Sequence, residues 1–312
     1  MKGFLARRFE VLCVLVLVLS AAAWFGAAFY YFDMLSHFRV HYLVLAVLCM
    51  PVFAWSGRWK WLAAAGLAAG LNLPPLLPAY LPAVQPEGGS TARVSLRVVA
   101  ANVHSDNDQY AAFIDWAYKQ KPDVIIALEV SPAWAGALKP LQAVFPHHVQ
   151  IPRHDNFGLS VFSRLPLSEQ KLLLLGNAGV PSLLLRLNTG KQDVAILVTH
   201  PPPPISEDYF AMRNVQLDDA AAYMARIKGP RMLIGDLNTS QWSPYFTRMR
   251  NRAGLRDARN GFGILPTWPA SLPGLMIPLD HCLVSPEVTV REIQTGEDIG
   301  SDHLPLFVEI AY

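Results

Sequence analysis

Gly235-Asp236-Leu237-Asn238 follows the apolar run 232–234, and Ser301-Asp302-His303 precedes the apolar run 304–310. Both runs are rich in residues that favour strands, so the polar groups are expected at strand ends. A hard divalent cation binds carboxylate oxygens, an attacking water needs a proton acceptor, and a pentacovalent phosphorus needs a cationic or hydrogen-bonding neighbour. Asp236, Asp302 and His303 supply these groups, so the pairing predicts metal-assisted phosphoester chemistry.

The chain around these strings alternates predicted strands with fewer helices. Helices are predicted over residues 106–120, from Ser131-Pro132 onward, and over residues 206–227, because apolar residues recur there at helical spacing or follow a capping residue. The predicted strands cover residues 94–103, 123–130, 159–163, 182–187, 194–200, 232–237, 279–285, 288–294 and 304–310. Many strands with few helices favour sheets packed face to face with helices outside.

Four of these strands finish in polar residues. Because side chains alternate along a strand, Asn102, Glu129, His200 and Asp236 each end an apolar row, and Asn238 follows on the last one. Each has an ordinary alternative, since Asn and Asp form turns, Glu is often solvated, and a lone His is often structural. Buried polar groups are costly unless paired, so we expect the five to converge at one sheet edge.

Three apolar runs precede these strands, at about residues 11–32, 40–56 and 60–81. The first carries no charge over 22 residues, which exceeds the roughly 20 needed to cross a bilayer as a helix. Its alternative is a signal peptide cleaved near Ser20-Ala21-Ala22-Ala23, but its length and the aromatic residues that follow favour an anchor. The third run carries Asn72 and several prolines, and its loss as a span would reverse the topology.

The distribution of cationic residues orients the predicted spans. Basic residues flank the first span on its amino-terminal side and precede the third, which assigns both flanks to the cytoplasm: Lys2, Arg7, Arg8, Arg58 and Lys60. Three spans then place the following domain outside the cytoplasm. Only Cys282 lies beyond the apolar runs, so no disulfide forms within that domain. A bacterial inner membrane protein with its domain in the periplasm fits these features.

The sequence therefore divides into a membrane anchor over residues 1–82, a linker over residues 83–92 rich in Pro, Gly and Ser, and one domain over residues 93–312. The whole chain has a mean hydropathy of +0.26, which reflects the anchor. The domain holds 20 of the 26 Lys and Arg and 21 of the 24 Asp and Glu, a net charge near −1. Since proteins that bind long nucleic acids usually carry positive charge, this balance disfavours a nucleic-acid partner without excluding it.

Motifs spread over residues 95–310 make this chain resemble the endonuclease/exonuclease/phosphatase superfamily. Their order matches that of the family, and they are AANVHSDN with Asn102, IIALEV with Glu129, NFGLSVFSRLPL with Gly158 and Arg164, VTHPPPP with His200, GDLNTS with Asp236 and Asn238, LDHCLVS with Asp280, and SDHLPLFVEI with Asp302 and His303. The resemblance implies an α/β fold, a four-layer α/β sandwich with two mainly antiparallel sheets and helices on both outer sides.

The resemblance also implies a role for each matching residue. Glu129 would be the principal ligand of a divalent metal, Mg²⁺ with Mn²⁺ as the alternative, and Asn102 and Asp302 would lie close to the same site. Asp236 would accept a proton from the attacking water while Asn238 holds that water and a phosphate oxygen.

Three histidines remain to be assigned. His303, oriented by Asp280, would stabilise the oxyanion, and His200 would contact the phosphate from the other side. A carboxylate beside His303 independently favours its protonated form. His281, whose strand parity directs it away, is interpreted as structural.

Three functions remain open from the sequence. A membrane-anchored phosphoester hydrolase of broad or lipid-related substrate class comes first, because an anchor raises the local concentration of membrane-bound substrates. A membrane-tethered nuclease acting on extracytoplasmic DNA or RNA is the second. A non-catalytic binding or scaffold protein that keeps the fold is the third, and an intact set of metal, base and phosphate groups argues against it. A run of arginines is interpreted as a solvated helix face, with phosphate or lipid-headgroup binding as the alternative: Arg248, Arg250, Arg252, Arg256 and Arg259.

Overall fold

Four helices form the amino-terminal part of the computed structural model, which describes residues 2–82 and 94–312. The predicted linker, residues 83–92, lies outside those ranges. The helices are α1 (Lys2–Ala22), α2 (Tyr30–Ser36), α3 (Arg39–Trp55) and α4 (Trp59–Leu76). Residues 6–25 and 59–79 are each long and apolar enough to cross a membrane, and α2 with α3 makes a third such segment bent by 65°. Two or three helices could thus span a bilayer by length and composition.

The first and third apolar runs differ in detail from their predicted bounds. The first is interrupted after Phe25, and its aromatic end, Tyr30 to Phe32, belongs to the separate helix α2. The third stays helical through Pro74 and Pro75, which lie in its last turn. Proline removes a backbone donor there, close to the end, where it interrupts little of the helix.

Polar contacts tie the parallel helices α1 and α4 together. Ser20 accepts a hydrogen bond from the Asn72 side chain at 2.7 Å, which satisfies an amide in an apolar run. The Trp24 indole donates to the Leu71 carbonyl near the end of both helices. At the opposite end, Arg58 forms an ion pair with Glu10. Helix α3 runs antiparallel between these ends and packs against both α1 and α4.

Two six-stranded sheets form the rest of the molecule. Sheet A has the order β11-β12-β1-β2-β4-β3, and sheet B has the order β5-β6-β7-β8-β10-β9. Among the described pairings, β1 with β2 and β7 with β8 are parallel and the others antiparallel. The strands are β1 (Ser95–Asn102), β2 (Val124–Leu128), β3 (His147–Ile151), β4 (Leu159–Ser163), β5 (Leu167–Leu174), β6 (Pro181–Leu187), β7 (Val194–Thr199), β8 (Arg231–Asp236), β9 (Arg256–Asp257), β10 (Asp280–Val284), β11 (Thr289–Thr295) and β12 (Leu306–Ala311).

Three apolar layers separate the sheets and helices, which confirms the predicted four-layer α/β sandwich. Alternate residues of both sheets, such as Val98 and Ile196, fill the layer between the sheets. Helices α5 (Tyr110–Lys119) and α6 (Pro132–Ala137) cover the outer face of sheet A. Helices α7 (Glu207–Met224) and α8 (Pro244–Ala253) cover that of sheet B. Ser131, Ser206 and Ser243 cap α6, α7 and α8 by accepting backbone N–H bonds, as their side-chain chemistry favours.

Three strands, β3, β5 and β9, were not predicted from the sequence. All three lie at sheet edges, and most of their side chains are exposed or half-buried. Since the alternation of apolar and polar residues comes from burial on one face, it is weak in strands with little buried surface.

The interpretation of the arginine cluster as one solvated helix face is wrong. Arg248, Arg250 and Arg252 lie on α8, but Arg256 lies in β9 and Arg259 is fully buried. Arg259 donates to the Asp280 carbonyl oxygen and lies 2.6 Å from His281 Nδ1. The chain turns between α8 and β9 at Gly254, so sequence proximity does not place these side chains on one surface.

Candidate active site

Parallel strands carry most of the predicted site residues to one end of the sandwich. Asn102 is the last residue of β1, and Asp236 is the last of β8. His200 directly follows β7, and Glu129 directly follows β2. Because β1 with β2 and β7 with β8 run parallel, their carboxyl ends meet at matching sheet edges.

The pairing of β10 with β8 places a second carboxylate beside Asp236. Strand β10 is antiparallel to β8, and Asp280, its first residue, pairs with Asp236. Both side chains share the parity of Cys282 and Ile234, which point between the sheets. Two buried acids therefore lie side by side, 44 residues apart in the chain.

The alternation of side chains along β2 does not predict that the Glu129 carboxylate lies in the site. Its row, Ile125 and Ala127, faces the helices outside sheet A, whereas Val98 and Ala100 of the Asn102 row face sheet B. Strand β2 ends at Leu128, and Glu129 adopts a left-handed backbone with φ of 59°. A non-glycine residue rarely adopts this conformation, which here redirects the carboxylate toward Asn102.

Asn102 joins the carboxylates of the two sheets. Its Nδ2 donates to Glu129 Oε1 at 2.8 Å and lies 3.1 Å from Asp236 Oδ2. Its Oδ1 accepts a hydrogen bond from the backbone of His104, and its carbonyl accepts one from the Ser301 hydroxyl at 2.8 Å. Ser301 thereby fixes the segment that carries the next two site residues.

His303 lies between the two buried acids. Its Nδ1 is 2.7 Å from Asp280 Oδ2, and its Nε2 is 3.6 Å from Asp236 Oδ2. Burial alone would lower the pKa of His303, but the carboxylates of Asp280 and Asp236 outweigh it and raise that pKa to about 10. His303 is therefore a cation at neutral pH, with its Nδ1–H donated to Asp280.

The two acids respond differently to the same surroundings. Burial raises the pKa of Asp236, although His303 opposes this shift. Burial also acts on Asp280, but the His303 cation and its hydrogen bond outweigh it and hold the pKa of Asp280 below the ordinary value. The environment thus makes Asp236 the more basic of the two carboxylates and favours an ionised Asp280, which is the difference expected between a proton acceptor and an orienting carboxylate.

Asn238 and His200 complete the same cluster. Asn238 also has a left-handed backbone, with φ of 50°, and its N–H donates to Asp236 Oδ1 at 2.9 Å. Its Nδ2 lies 3.3 Å from His200 Nε2, which in turn lies 3.5 Å from Asp236 Oδ2. Gly235 allows the backbone of β8 to lie close to the end of β7, because a Cβ on residue 235 would lie 2.2 Å from the Thr199 carbonyl oxygen.

Asp302 borders the cluster on its open side. Its Oδ2 accepts a hydrogen bond from the Trp268 indole at 3.0 Å, and its Oδ1 lies 3.7 Å from His104 Nδ1. Its side chain is 44% exposed, unlike those of Asp236 and His303. Asp302 and Glu129 line the same cavity, of about 550 Å³, as Asp236 and His303.

Oxygen donors around this cavity fit a hard divalent cation. Glu129 and Asp302 offer carboxylate oxygens at the cavity wall, beside the Asn102 amide, and such ligands suit Mg²⁺ or Mn²⁺. Asp236, Asp280 and His303 also offer ligand atoms that all lie within 4.8 Å of one another. His303 and Asp280 already satisfy each other by a hydrogen bond, however, which makes this second group the weaker fit to a metal.

The sequence analysis missed the amino-terminal residues of the cavity. Met34, His37 and Phe38 line it from the junction of α2 and α3, opposite domain residues such as Phe157 and Ile205. We call residues 30–39 the elbow. Asp33 and His37 are polar residues between two apolar runs, and this was the signal in the sequence that the segment could contribute to a site.

Four other residues with polar side chains, three histidines and one arginine, lie outside the described cavity lining. His281 is fully buried, and its Nε2 is 2.7 Å from the Thr239 carbonyl oxygen while its ring contacts Phe246. The Arg164 guanidinium packs over the Phe145 ring. His147 and His148 lie on the edge strand β3. No described hydrogen bond or ion pair joins these four side chains to the clustered acids.

Comparisons with known proteins agree with this geometry. Residues 99–303 match the Endonuclease/Exonuclease/phosphatase family. No curated protein matches the chain. Among solved structures, an endonuclease/exonuclease/phosphatase from Beutenbergia cavernae aligns with a TM-score of 0.57 at 22% identity, over 70% of this chain and 72% of that one.

Two further solved structures share the fold at lower identity. A humanised D. rerio TDP2 aligns with a TM-score of 0.59 at 15% identity, over 69% of this chain and 98% of that one. Sphingomyelinase C from Streptomyces griseocarneus aligns with a TM-score of 0.53 at 17% identity, over 69% and 99%. The family match spans more than half of the sequence and includes every clustered residue described above, so this chain belongs to the endonuclease/exonuclease/phosphatase family.

Proposed function

We propose that this protein is a membrane-anchored, divalent-metal-dependent hydrolase of phosphoester bonds, with lipid-related phosphoesters as its substrates. The observation that carries the proposal is the Asp280–His303–Asp236 arrangement, in which a buried cation lies beside a buried acid with a raised pKa. Hydrolysis of a phosphoester needs a proton acceptor for water and a positive group for the developing charge.

Asp236 acts as the proton acceptor in this proposal. Its Oδ1 is held by the Asn238 backbone, and its Oδ2 lies within 3.6 Å of Asn102, His200 and His303. A fixed carboxylate orients the attacking water, and the Asn238 side chain holds that water and a phosphate oxygen. The raised pKa of Asp236 brings its basicity closer to the operating pH.

His303 and His200 stabilise the phosphate from two sides. Asp280 accepts a hydrogen bond from the Nδ1–H of His303, which leaves the Nε2–H to donate to a phosphate oxygen. His200, on the other side of Asp236, donates to a second oxygen. Glu129, with Asn102 and Asp302 nearby, would hold Mg²⁺ or Mn²⁺, and a bound cation would neutralise charge on the phosphoester.

The lining of the cavity favours an amphiphilic substrate. The lining combines polar groups, such as Glu129, Asp236 and His303, with apolar side chains from both the elbow and the domain, including Met34, Phe38, Ile205, Ile277 and Leu279. The elbow directly follows a helix that is apolar enough to cross a membrane. A lipid-related molecule would present both a phosphoester and an apolar part at the membrane surface, which supports this substrate class over a water-soluble one.

The contacts between the helices and the domain support the proposed topology. The domain contacts the elbow and the end of α4, where the Pro78 and Ala79 carbonyls accept bonds from Gly261 and Gly263. Arg58 lies at the opposite end of the helices. Basic residues at the cytoplasmic end and the domain at the other support an integral protein of a bacterial inner membrane with a periplasmic domain.

A tethered nuclease is the second candidate. One structural neighbour, TDP2 from D. rerio, was solved with a single-strand DNA product. The domain here has a net charge near −1, which weakens binding to a polyanion. A scaffold without activity is the third candidate, and the complete set of acids, amides and histidines argues against it.

Hydrolysis assays on the full chain in detergent test the proposal. The substrates are a chromogenic phosphodiester, phospholipid vesicles and plasmid DNA, each with Mg²⁺, Mn²⁺ or EDTA. We expect metal-dependent cleavage of the diester and of phospholipid, with His303→Ala and Asp236→Asn inactive but folded. Cleavage of DNA alone would favour the nuclease, and wild-type rates in either variant would contradict the site assignment.

A further inference from the structure

A fully buried ion pair connects the elbow to the domain. Asp33 Oδ2 lies 2.8 Å from Arg213 Nη2, and both side chains are inaccessible to solvent. The other carboxylate oxygen, Oδ1, accepts a hydrogen bond from the Ser243 hydroxyl at 2.6 Å. Burying such a pair is costly and is weak evidence of a stabilising role, so its geometry is the more informative feature.

Arg213 extends this contact to the catalytic cluster. Its Nη1 donates to the Asn238 carbonyl oxygen at 3.0 Å, while Nε and Nη2 both donate to Asn214 Oδ1. A guanidinium is planar and rigid, so the contact of Nη2 with Asp33 restricts where Nη1 can lie relative to Asn238. Two hydrogen bonds therefore connect a carboxylate of the elbow with the residue whose side chain lies beside His200 and Asp236.

A second buried contact holds the same loop. His37 Nδ1 lies 2.8 Å from the Ser240 hydroxyl and accepts a hydrogen bond from the Ser240 backbone N–H at 3.2 Å. Residues 238–243 are thus held at three points by the elbow or by Arg213: at the Asn238 carbonyl, at Ser240, and at the Ser243 hydroxyl. We call residues 238–243 the catalytic loop.

The catalytic loop needs such support because its first residue is strained. Asn238 has a positive φ, a conformation that asparagine adopts at some cost and keeps only when its surroundings impose it. Its Nδ2 makes contacts with His200 and the Pro201 carbonyl, so a small movement of its backbone would displace the amide from the cluster. Movements of about 1 Å lower rates by roughly a hundredfold in enzymes.

We propose that Asp33 and Arg213 are positioning residues, through which the amino-terminal elbow holds the catalytic loop and the Asn238 amide in place. The elbow lies outside residues 99–303, which carry the family match, so its side of this contact is not part of the matched domain, whereas Arg213 is. The expected loss of activity rests on the proposed function. The expected effect of the elbow on the position of the catalytic loop does not.

Two variants test whether Asp33 and Arg213 position the catalytic loop or only form a buried ion pair. Asp33→Asn removes the carboxylate charge, and Arg213→Lys keeps the cation but not the fork that reaches Asp33 and Asn238 together. Glu10→Gln is the matched control, because it breaks an ion pair between two amino-terminal helices, that of Glu10 with Arg58, at the end of the helices far from the elbow. All are measured as full chains in detergent, with melting temperature as the test of folding.

Hydrogen exchange and kinetics are the two readouts. We expect faster amide exchange over residues 238–243 in Asp33→Asn and Arg213→Lys but not in Glu10→Gln. We also expect kcat on the chromogenic diester to fall about tenfold to a hundredfold, with a much smaller change in KM. Arg213→Lys should still unfold in one cooperative transition, although at a lower melting temperature, because a lysine cannot replace every hydrogen bond of the buried guanidinium.

Other results would overturn either the positioning role of Asp33 and Arg213 or the proposed function. Unchanged exchange in the catalytic loop, or wild-type kcat in a folded variant, would overturn the proposal. Failure of both variants to fold would also overturn it, in favour of a purely structural pair. A wild-type chain without hydrolytic activity would refute the proposed function instead, and the exchange data would then decide the positioning role alone.

Discussion

Asp280 and His303 form a 2.7 Å hydrogen bond between strand β10 and the segment before β12. The same imidazole lies 3.6 Å from Asp236 on its other nitrogen. One histidine therefore separates two buried carboxylates, and the three groups titrate as a unit whose charge depends on pH. The first two predictions follow from this arrangement.

The pH dependence of catalysis should be bell-shaped. Asp236 must be ionised to accept a proton, and burial raises its pKa, so the acid limb should lie above the ordinary aspartate value of about 3.9. His303 must be protonated, and its pKa is raised to about 10, which places the alkaline limb there. In Asp280→Asn the main carboxylate that raises the pKa of His303 is lost, so the alkaline limb should move to lower pH.

The pH profile of kcat/KM on the chromogenic diester checks this prediction. Asp257→Asn is the control, because Asp257 is also a buried acid but lies on β9 outside the described cavity lining. An alkaline limb that stays in place in Asp280→Asn would show that His303 does not set it.

Stability should depend on the same histidine. The pKa of His303 is raised in the folded chain above its unfolded value near 6.5, so protonation stabilises the fold fully below about pH 6.5. That stabilisation is lost as the pH rises through about 10. We expect the melting temperature in EDTA to fall more between pH 8 and 10.5 for the wild type than for His303→Gln, and equal slopes would contradict the shift.

Metal affinity should depend on Glu129. Its carboxylate contacts Asn102 at the cavity wall, so Glu129→Gln keeps the shape but removes the charge of the principal proposed ligand. We expect the Mg²⁺ concentration for half-maximal activity to rise at least about tenfold, since one ion–ligand interaction of about 1.4 kcal/mol gives that factor. Glu169→Gln, which removes a surface partner of Arg186, should leave it unchanged. An unchanged Mg²⁺ requirement in Glu129→Gln would place the metal elsewhere.

Recognition of the apolar part of the substrate should depend on Ile205. This side chain lines the cavity yet is 77% exposed, so it is available to an apolar ligand. Burying such a side chain contributes about 1.5 kcal/mol or more, so Ile205→Ser should raise KM for a long-chain phospholipid by about tenfold. KM for the water-soluble diester should not change.

Leu272→Ser is the matched control, because Leu272 is also exposed, at 53%, but is not among the described cavity-lining residues. Equal effects of Ile205→Ser on the long-chain and the water-soluble substrate would argue against an apolar subsite.

Much of the fold could be read from local patterns. Alternating apolar rows predicted β1, β7 and β8 and their shared inner face, because burial on one side of a strand imposes a period of two. The rows that end in Asn102, His200 and Asp236 all face the layer between the sheets, as that argument requires. A capping serine, Ser131, predicted the start of α6 for an equally local reason.

Local patterns did not decide the position of Glu129 or of the elbow. Parity assigns Glu129 to the outer face of sheet A, and only its left-handed backbone returns the carboxylate to Asn102. Asp33 and Arg213 are 180 residues apart in the chain, and no periodicity relates them.

By itself, then, the sequence determined which residue types lie at the strand ends and which segments are apolar enough to cross a membrane. Only the tertiary structure decided that the first sheet, the second sheet and the amino-terminal helices meet around one cavity. The physical reason is that hydrophobic periodicity reports the burial of a residue's own element, whereas contacts between elements depend on how their surfaces pack.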